Sequence, residues 1–129
     1  MSDAAKALRD VRNVLESTVR DYSSMPFFVR PMVKRGFAKR TGRTLEGWLE
    51  RIGAAIASAE RGESTSHLLD DLGRLADNFR TAPERAKRGM KGAALEAMTK
   101  RSMERHQAVS AAIAKLQASS AASNPESAT

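Results

Sequence analysis

Residues 3–22 read DAAKALRDVRNVLESTVRDY, and their spacing decides the fold. Ala4, Leu8, Val11, Leu15, Thr18 and Tyr22 recur at alternating intervals of four and three, which sets them on one face of a helix. Val14 and Val19 broaden that stripe. A seam of this length needs another helix to cover it. The pattern predicts a helix from just after Ser2 to about Tyr22, stopped by Ser23, Ser24 and Pro26.

The same period returns downstream. Leu45, Trp48, Leu49, Ile52, Ile56 and Ala59 make the inner stripe of a helix that Thr44 caps and Gly62 ends. Leu68, Leu69, Leu72, Leu75, Ala76 and Phe79 line the next one, which opens within residues 63–66. Asp70, Asp71, Arg74, Asp77 and Asn78 occupy its outer side, where Asp70, Arg74 and Asp77 predict a weak salt-bridge ladder. Pro83 is expected to close this helix or to open the following one. Residues 83–117 are helical in pattern but contain Gly89 and Gly92, each costing up to about 1 kcal/mol in a helix interior, so a break is expected there. Beyond it Leu95, Met98, Met103, Val109, Ile113 and Leu116 form a long stripe. The end, ASSAASNPESAT, has no large apolar residue and reads as disordered. The expectation is all-α: one domain over residues 1–118, a compact bundle of four long helices plus a short basic helical element, with a disordered tail over 119–129.

That basic element lies in the most unusual part of the chain. Between Tyr22 and Leu45 stand Arg30, Lys34, Arg35, Lys39, Arg40 and Arg43 without a single carboxylate. Phe27, Phe28, Val29, Met32, Val33 and Phe37 are interleaved with them. On a helical wheel over residues 28–39, Phe28, Val29, Met32, Val33, Gly36 and Phe37 share one half; Phe27, Phe28 and Phe37 have the chemistry to stack on bases, but at helical spacing they are expected in the core. Pro31 is tolerated only in the first turn.

The formal charge of +7 is distributed in blocks. Residues 1–21 are neutral, 22–45 carry +6, 46–79 carry −4, and 80–106 carry +5. Such segregation makes local fields stronger than the net charge implies. Lysines and arginines gathered on a surface neutralise phosphates and release condensed counterions. The expectation is therefore a non-catalytic, sequence-tolerant protein that binds a nucleic-acid backbone, RNA or DNA. The first contact surface is Arg30, Lys34, Arg35, Lys39, Arg40 and Arg43; the second is Arg85, Lys87, Arg88 and Lys91. The alternation of charge also fits a protein–protein adaptor, or a structural protein that self-assembles by pairing its acidic middle with a basic block of another copy. Protein partners or a homo-oligomer are expected on either reading.

Other chemistries lack their residues. With no cysteine there are no disulfides, thiolate sites or thiol nucleophiles. His67 and His106 have no ligand spacing between them, so neither a metal nor another cofactor is expected; His106 falls within the apolar arc of its helix near Ser102, and His67 reads as solvated. No nucleophile elbow surrounds any serine, and the chain reads as a non-enzyme. Gly36 and Gly42 flank Lys39 and Arg40 without the Lys-Ser or Lys-Thr of a phosphate loop. Gly89-Met90-Lys91-Gly92 matches the G-x-x-G clamp of KH-type RNA binders, but no strand-like segment lies nearby to build the supporting sheet. No apolar run is long enough to span a bilayer and the first residues lack a signal-peptide core, so the expected location is cytoplasmic. In size, helix count and charge the chain is similar to small helical subunits of CRISPR effectors and to the bundle-forming accessory proteins of retroelement reverse transcriptases. That resemblance implies an accessory role in a nucleoprotein complex and carries no diagnostic residue.

Overall fold

Ser2 starts the first helix as its chemistry requires. In the computed structural model of the chain, which describes residues 2–123, the Ser2 hydroxyl accepts a hydrogen bond from the Ala5 amide at 3.3 Å. Helix α1 then runs Asp3–Ser23. Thr44 caps α3, Leu45–Glu60, accepting from the Gly47 amide at 3.0 Å. At the far end Gly62 adopts φ 79°, and the amides of Gly62 and Glu63 return to the carbonyls of Ala59 and Ser58. That paired closure needs a left-handed residue, which glycine supplies without a Cβ penalty.

Between them α2 spans Arg30–Thr41, with Pro31 in its first turn and Gly42 at φ 86° ending it. It starts two residues later than the wheel predicts because Pro26–Val29 form a separate turn. A 3₁₀ turn, Ser66–Leu68, leads into α4, Leu69–Ala86. Pro83 neither closes α4 nor opens a new helix; it is buried inside it, one turn from the end. One turn earlier, the Arg85 side chain donates to the Asn78 carbonyl at 2.9 Å. A turn at Lys87–Gly89 breaks the chain where the glycines predict, and α5 runs Gly92–Ser123. The first five residues of the expected tail, 119–123, are thus helical, because an alanine- and serine-rich stretch continues α5 at little cost. The rest of that tail lies outside the described residues. All five α-helices belong to one bundle, and the described residues contain no strand.

α1 packs on α3 and α5, α4 packs on α5, and α2 leans on α4. Leu8, Val11 and Leu15 of α1 meet Trp48 and Ile52 of α3, Leu72, Leu75 and Phe79 of α4, and Val109 and Leu116 of α5 in one continuous core. Each such leucine or isoleucine contributes about 1.5–3 kcal/mol through burial. His106 is half-buried on the α4–α5 seam, its Nδ1 3.1 Å from the Ala76 carbonyl, while His67 is exposed. Met103, expected in the α5 stripe, is exposed instead, because Ser102 and not Met103 turns inward at that level.

α2 is the lightly held element. Only Phe37 and Thr41 of its residues are buried. Phe37 meets Tyr22 edge-to-face at 6.3 Å, and the Trp48 indole donates to Thr41 Oγ1 at 2.9 Å. Phe27 and Phe28, expected in the core from their spacing, are 80% and 73% exposed, and Met32 is 69% exposed. The apolar half of this segment is wider than the surface offered to it: Phe37 is buried, Val29 and Val33 are half-buried, and Phe28 and Met32 face solvent. Among the described residues, no helix is long and apolar enough to cross a membrane.

Candidate functional site

Arg40 on α2 and Arg85 on α4 come from different basic blocks and converge on a single neutral acceptor. Arg40 Nε donates to Asn78 Oδ1 at 2.7 Å, and Arg85 Nη2 donates to the same oxygen at 3.2 Å. Arg85 Nη1 also reaches Thr81 Oγ1 at 2.6 Å. Asn78 is buried, and its amide fixes both guanidinium groups without neutralising either. Burial pushes the pKa of both arginines down, and Arg40 pushes that of Arg85 in the same direction. Both nevertheless stay cationic at neutral pH. Neither has a carboxylate within salt-bridge distance among the described residues.

Gly36 belongs to this arrangement. A Cβ there would lie 2.8 Å from Arg40 Nη1, so the guanidinium rests against the helix where the glycine leaves room. Beneath it opens a cavity of about 750 Å³ bounded by α1, α2, α4 and the start of α5. Its apolar lining includes Met25, Met32, Val33, Phe79, Met90 and Met98. Five arginines, at 40, 85, 88, 101 and 105, face it against one carboxylate, Asp21. Asp21 is already engaged, accepting from Arg105 at 2.7 Å with Arg101 at 3.6 Å. Tyr22 also lines the cavity. Burial raises the pKa of its phenol, opposed by the positive charges of Arg40, Arg85 and Arg105.

The ten cations named from the sequence divide into two groups. Four are occupied within the chain. Arg30 turns back on the end of α1, donating to the carbonyls of Met25 at 2.8 Å and Ser23 at 2.7 Å. Lys34 stands 3.8 Å from Glu46, Arg43 is 3.4 Å from Asp71, and Lys87 pairs with Glu84 at 3.0 Å. The other six, Arg35, Lys39, Arg40, Arg85, Arg88 and Lys91, have no ion-pair partner among the described residues. Arg40, Arg85 and Arg88 surround the cavity, and Lys91 adjoins Met90 on its rim. Arg35 and Lys39, four residues apart on α2, are both exposed. The salt-bridge ladder expected on α4 does not form: Asp77 pairs with Arg80 at 2.6 Å, and Asp71 is taken by Arg43 and Arg51.

Arg101, Arg105, Asp21, Tyr22 and Asn78 escaped the reading of the sequence as site residues. Their one local signal is spacing: Arg101 and Arg105 lie four apart on α5, as Ser17 and Asp21 do on α1. Arg105 bonds to both members of the α1 pair. Among the described residues, no group of three or more His, Cys, Asp or Glu is placed to hold a metal ion.

Comparison with protein-family models, with curated proteins and with solved structures finds no match for the chain.

Proposed function

We propose that the chain binds the backbone of a single-stranded nucleic acid, without catalysis and with little regard to sequence, as an accessory subunit of a larger nucleoprotein assembly. The observation that carries this reading is the exposed pair Phe27 and Phe28, packed edge-to-face at 5.8 Å, on the segment that bears the unpaired cations. Cations alone would suit a duplex or an acidic protein equally well. Solvent-facing aromatics beside them favour unpaired bases, which stack on any aromatic face while lysines and arginines follow the phosphates. Self-assembly through opposite charges is less favoured, because Glu46 and Asp71 of the acidic middle already meet basic side chains of their own chain.

The test is fluorescence anisotropy with a mixed-sequence single strand and its duplex over a series of salt concentrations. If all six free cations contact phosphates, log affinity for the single strand should fall against log salt with a slope near ~−4. Changing Arg35, Lys39, Arg88 and Lys91 together to Gln should flatten that slope by about 3. Arg30→Gln and Arg43→Gln remove side chains with internal partners and should leave it nearly unchanged. Salt-insensitive binding, no binding at low salt, or equal flattening by the two control variants would overturn the proposal.

A further inference from the structure

We infer that the cavity beneath Arg40 and Arg85 is a binding site for a small amphipathic anion, with its head on the two guanidinium groups and its alkyl chain among the methionines. The site shares Arg40, Arg85 and Arg88 with the cations proposed to contact phosphates, and differs from that surface in its methionine-lined interior.

Three observations converge on it. Arg40 and Arg85 share one neutral acceptor, and the hydrogen bonds within the chain use only Nε of Arg40. Its terminal nitrogens remain free to grip an oxyanion, and paired guanidinium groups match the oxygens of a carboxylate or phosphate. The only carboxylate on the wall, Asp21, is held by Arg105 and so offers no internal counter-ion to them. Second, four of the chain's six methionines, at 25, 32, 90 and 98, line this one cavity. Methionine is flexible and polarizable, and a wall built of it adapts to a chain of variable conformation better than to a rigid ring. Third, the volume of about 750 Å³ lies within the range of small-molecule sites, which pair an apolar wall with a few convergent polar groups. The apolar wall and the cationic mouth together select a long-chain carboxylate or an alkyl phosphate. A bare inorganic anion would leave the methionines unused, and a neutral alcohol would leave the arginines unmatched.

The experiment is isothermal titration calorimetry of the full chain with decyl phosphate, kept monomeric, beside octyl phosphate, decanol, inorganic phosphate and vesicles carrying an anionic headgroup. Decyl phosphate should bind one-to-one. Octyl phosphate should bind more weakly, by up to about fourfold for each methylene removed. Arg40→Gln with Arg85→Gln should weaken decyl phosphate at least about tenfold, the loss expected when charged hydrogen bonds are removed. Gly36→Ala serves as a second variant that keeps both arginines and favours the helix; its Cβ displaces the Arg40 guanidinium and should also weaken binding. The inference is overturned if decyl phosphate does not bind, or if decanol or inorganic phosphate binds as tightly. Binding only to vesicles, or an affinity unmoved by the double arginine variant, would overturn it as well. Because the oligonucleotide assay uses a different ligand and the Arg35, Lys39, Arg88 and Lys91 variant, the two readings can fail independently.

Discussion

Thr41→Val isolates the contact that holds α2, and with it the candidate site, onto the bundle. Thr41 and Trp48 are both buried, and the indole Nε1–H has the threonine hydroxyl as its acceptor at 2.9 Å. The same hydroxyl lies 2.9 Å from the Phe37 carbonyl and 3.1 Å from that of Arg43, so it ties the last turn of α2 to the loop and to α3. Valine fills nearly the same volume but cannot accept. Leaving the buried indole donor unpaired costs about 1–3 kcal/mol. Burying a methyl in place of the hydroxyl returns up to about 0.8 kcal/mol. The net loss lies between about 0.2 and 2 kcal/mol, and for a domain of this size each kcal/mol lowers Tm by roughly 3–5 °C. The assay is a double-mutant cycle with Trp48→Phe, followed by urea denaturation with circular dichroism. In the parent Thr41→Val should show the full loss; in the Trp48→Phe background, where no indole donor exists, it should cost little. Amide exchange should quicken in α2 more than in α3, since Thr41 is one of only two buried side chains of α2. An equal cost in both backgrounds would refute the reasoning.

Three further outcomes follow from the same geometry. Phe27→Ala and Phe28→Ala should each weaken single-strand binding by about 1–3 kcal/mol for a stacked base, while thermal denaturation stays unchanged because both rings are largely exposed. Tyr22 is the only tyrosine, so the absorbance change of its ionisation reports the cavity directly. Burial raises its pKa in the folded chain, so the native state keeps a proton that the unfolded state releases near pH ~10. The associated stability is therefore complete below about pH 10 and declines as pH climbs through the raised native value; Tyr22→Phe should remove that part of the decline. Arg40→Gln should move the Tyr22 midpoint further upward, since Arg40 is the leading charge that lowers it.

Much of the fold was legible because its signals are local. Ser2 and Thr44 cap helices through their own hydroxyls, and Gly42 and Gly62 end helices through their own backbone conformation. The apolar stripes of α1, α3 and α4 match the core because each has a partner wide enough to cover it. α2 broke that logic. A helical wheel ranks which half of a segment is apolar, yet it carries no information on how much neighbouring surface there is to bury it. Phe28 and Met32 stayed outside for that reason, although Phe37 from the same half went in. The site was legible only in part. Clustering along the chain identified Arg40 and Arg85 but also Arg30 and Arg43, whose partners lie on other elements. Asn78 read as one more polar residue on an exposed face; its burial depends on α2 packing over α4. Arg101, Arg105 and Asp21 form a long-range pair of i, i+4 rows that no window along the chain can join.

The features at odds with stability collect in one place. Gly36 sits mid-helix, where alanine would stabilise by up to about 1 kcal/mol. Arg40 and Arg85 repel each other beside a neutral amide, and three large apolar side chains nearby face solvent. Were α2 merely a solvated face, these would be unrelated costs, and Gly36→Ala would raise stability with no other effect. If they belong to one anion-binding device, that substitution raises stability and weakens binding together, because the Cβ that improves the helix occupies the space of the guanidinium. Opposite movement of the two quantities in a single variant separates a site from a surface, since an exposed charge with no task has nothing to lose when its side chain moves.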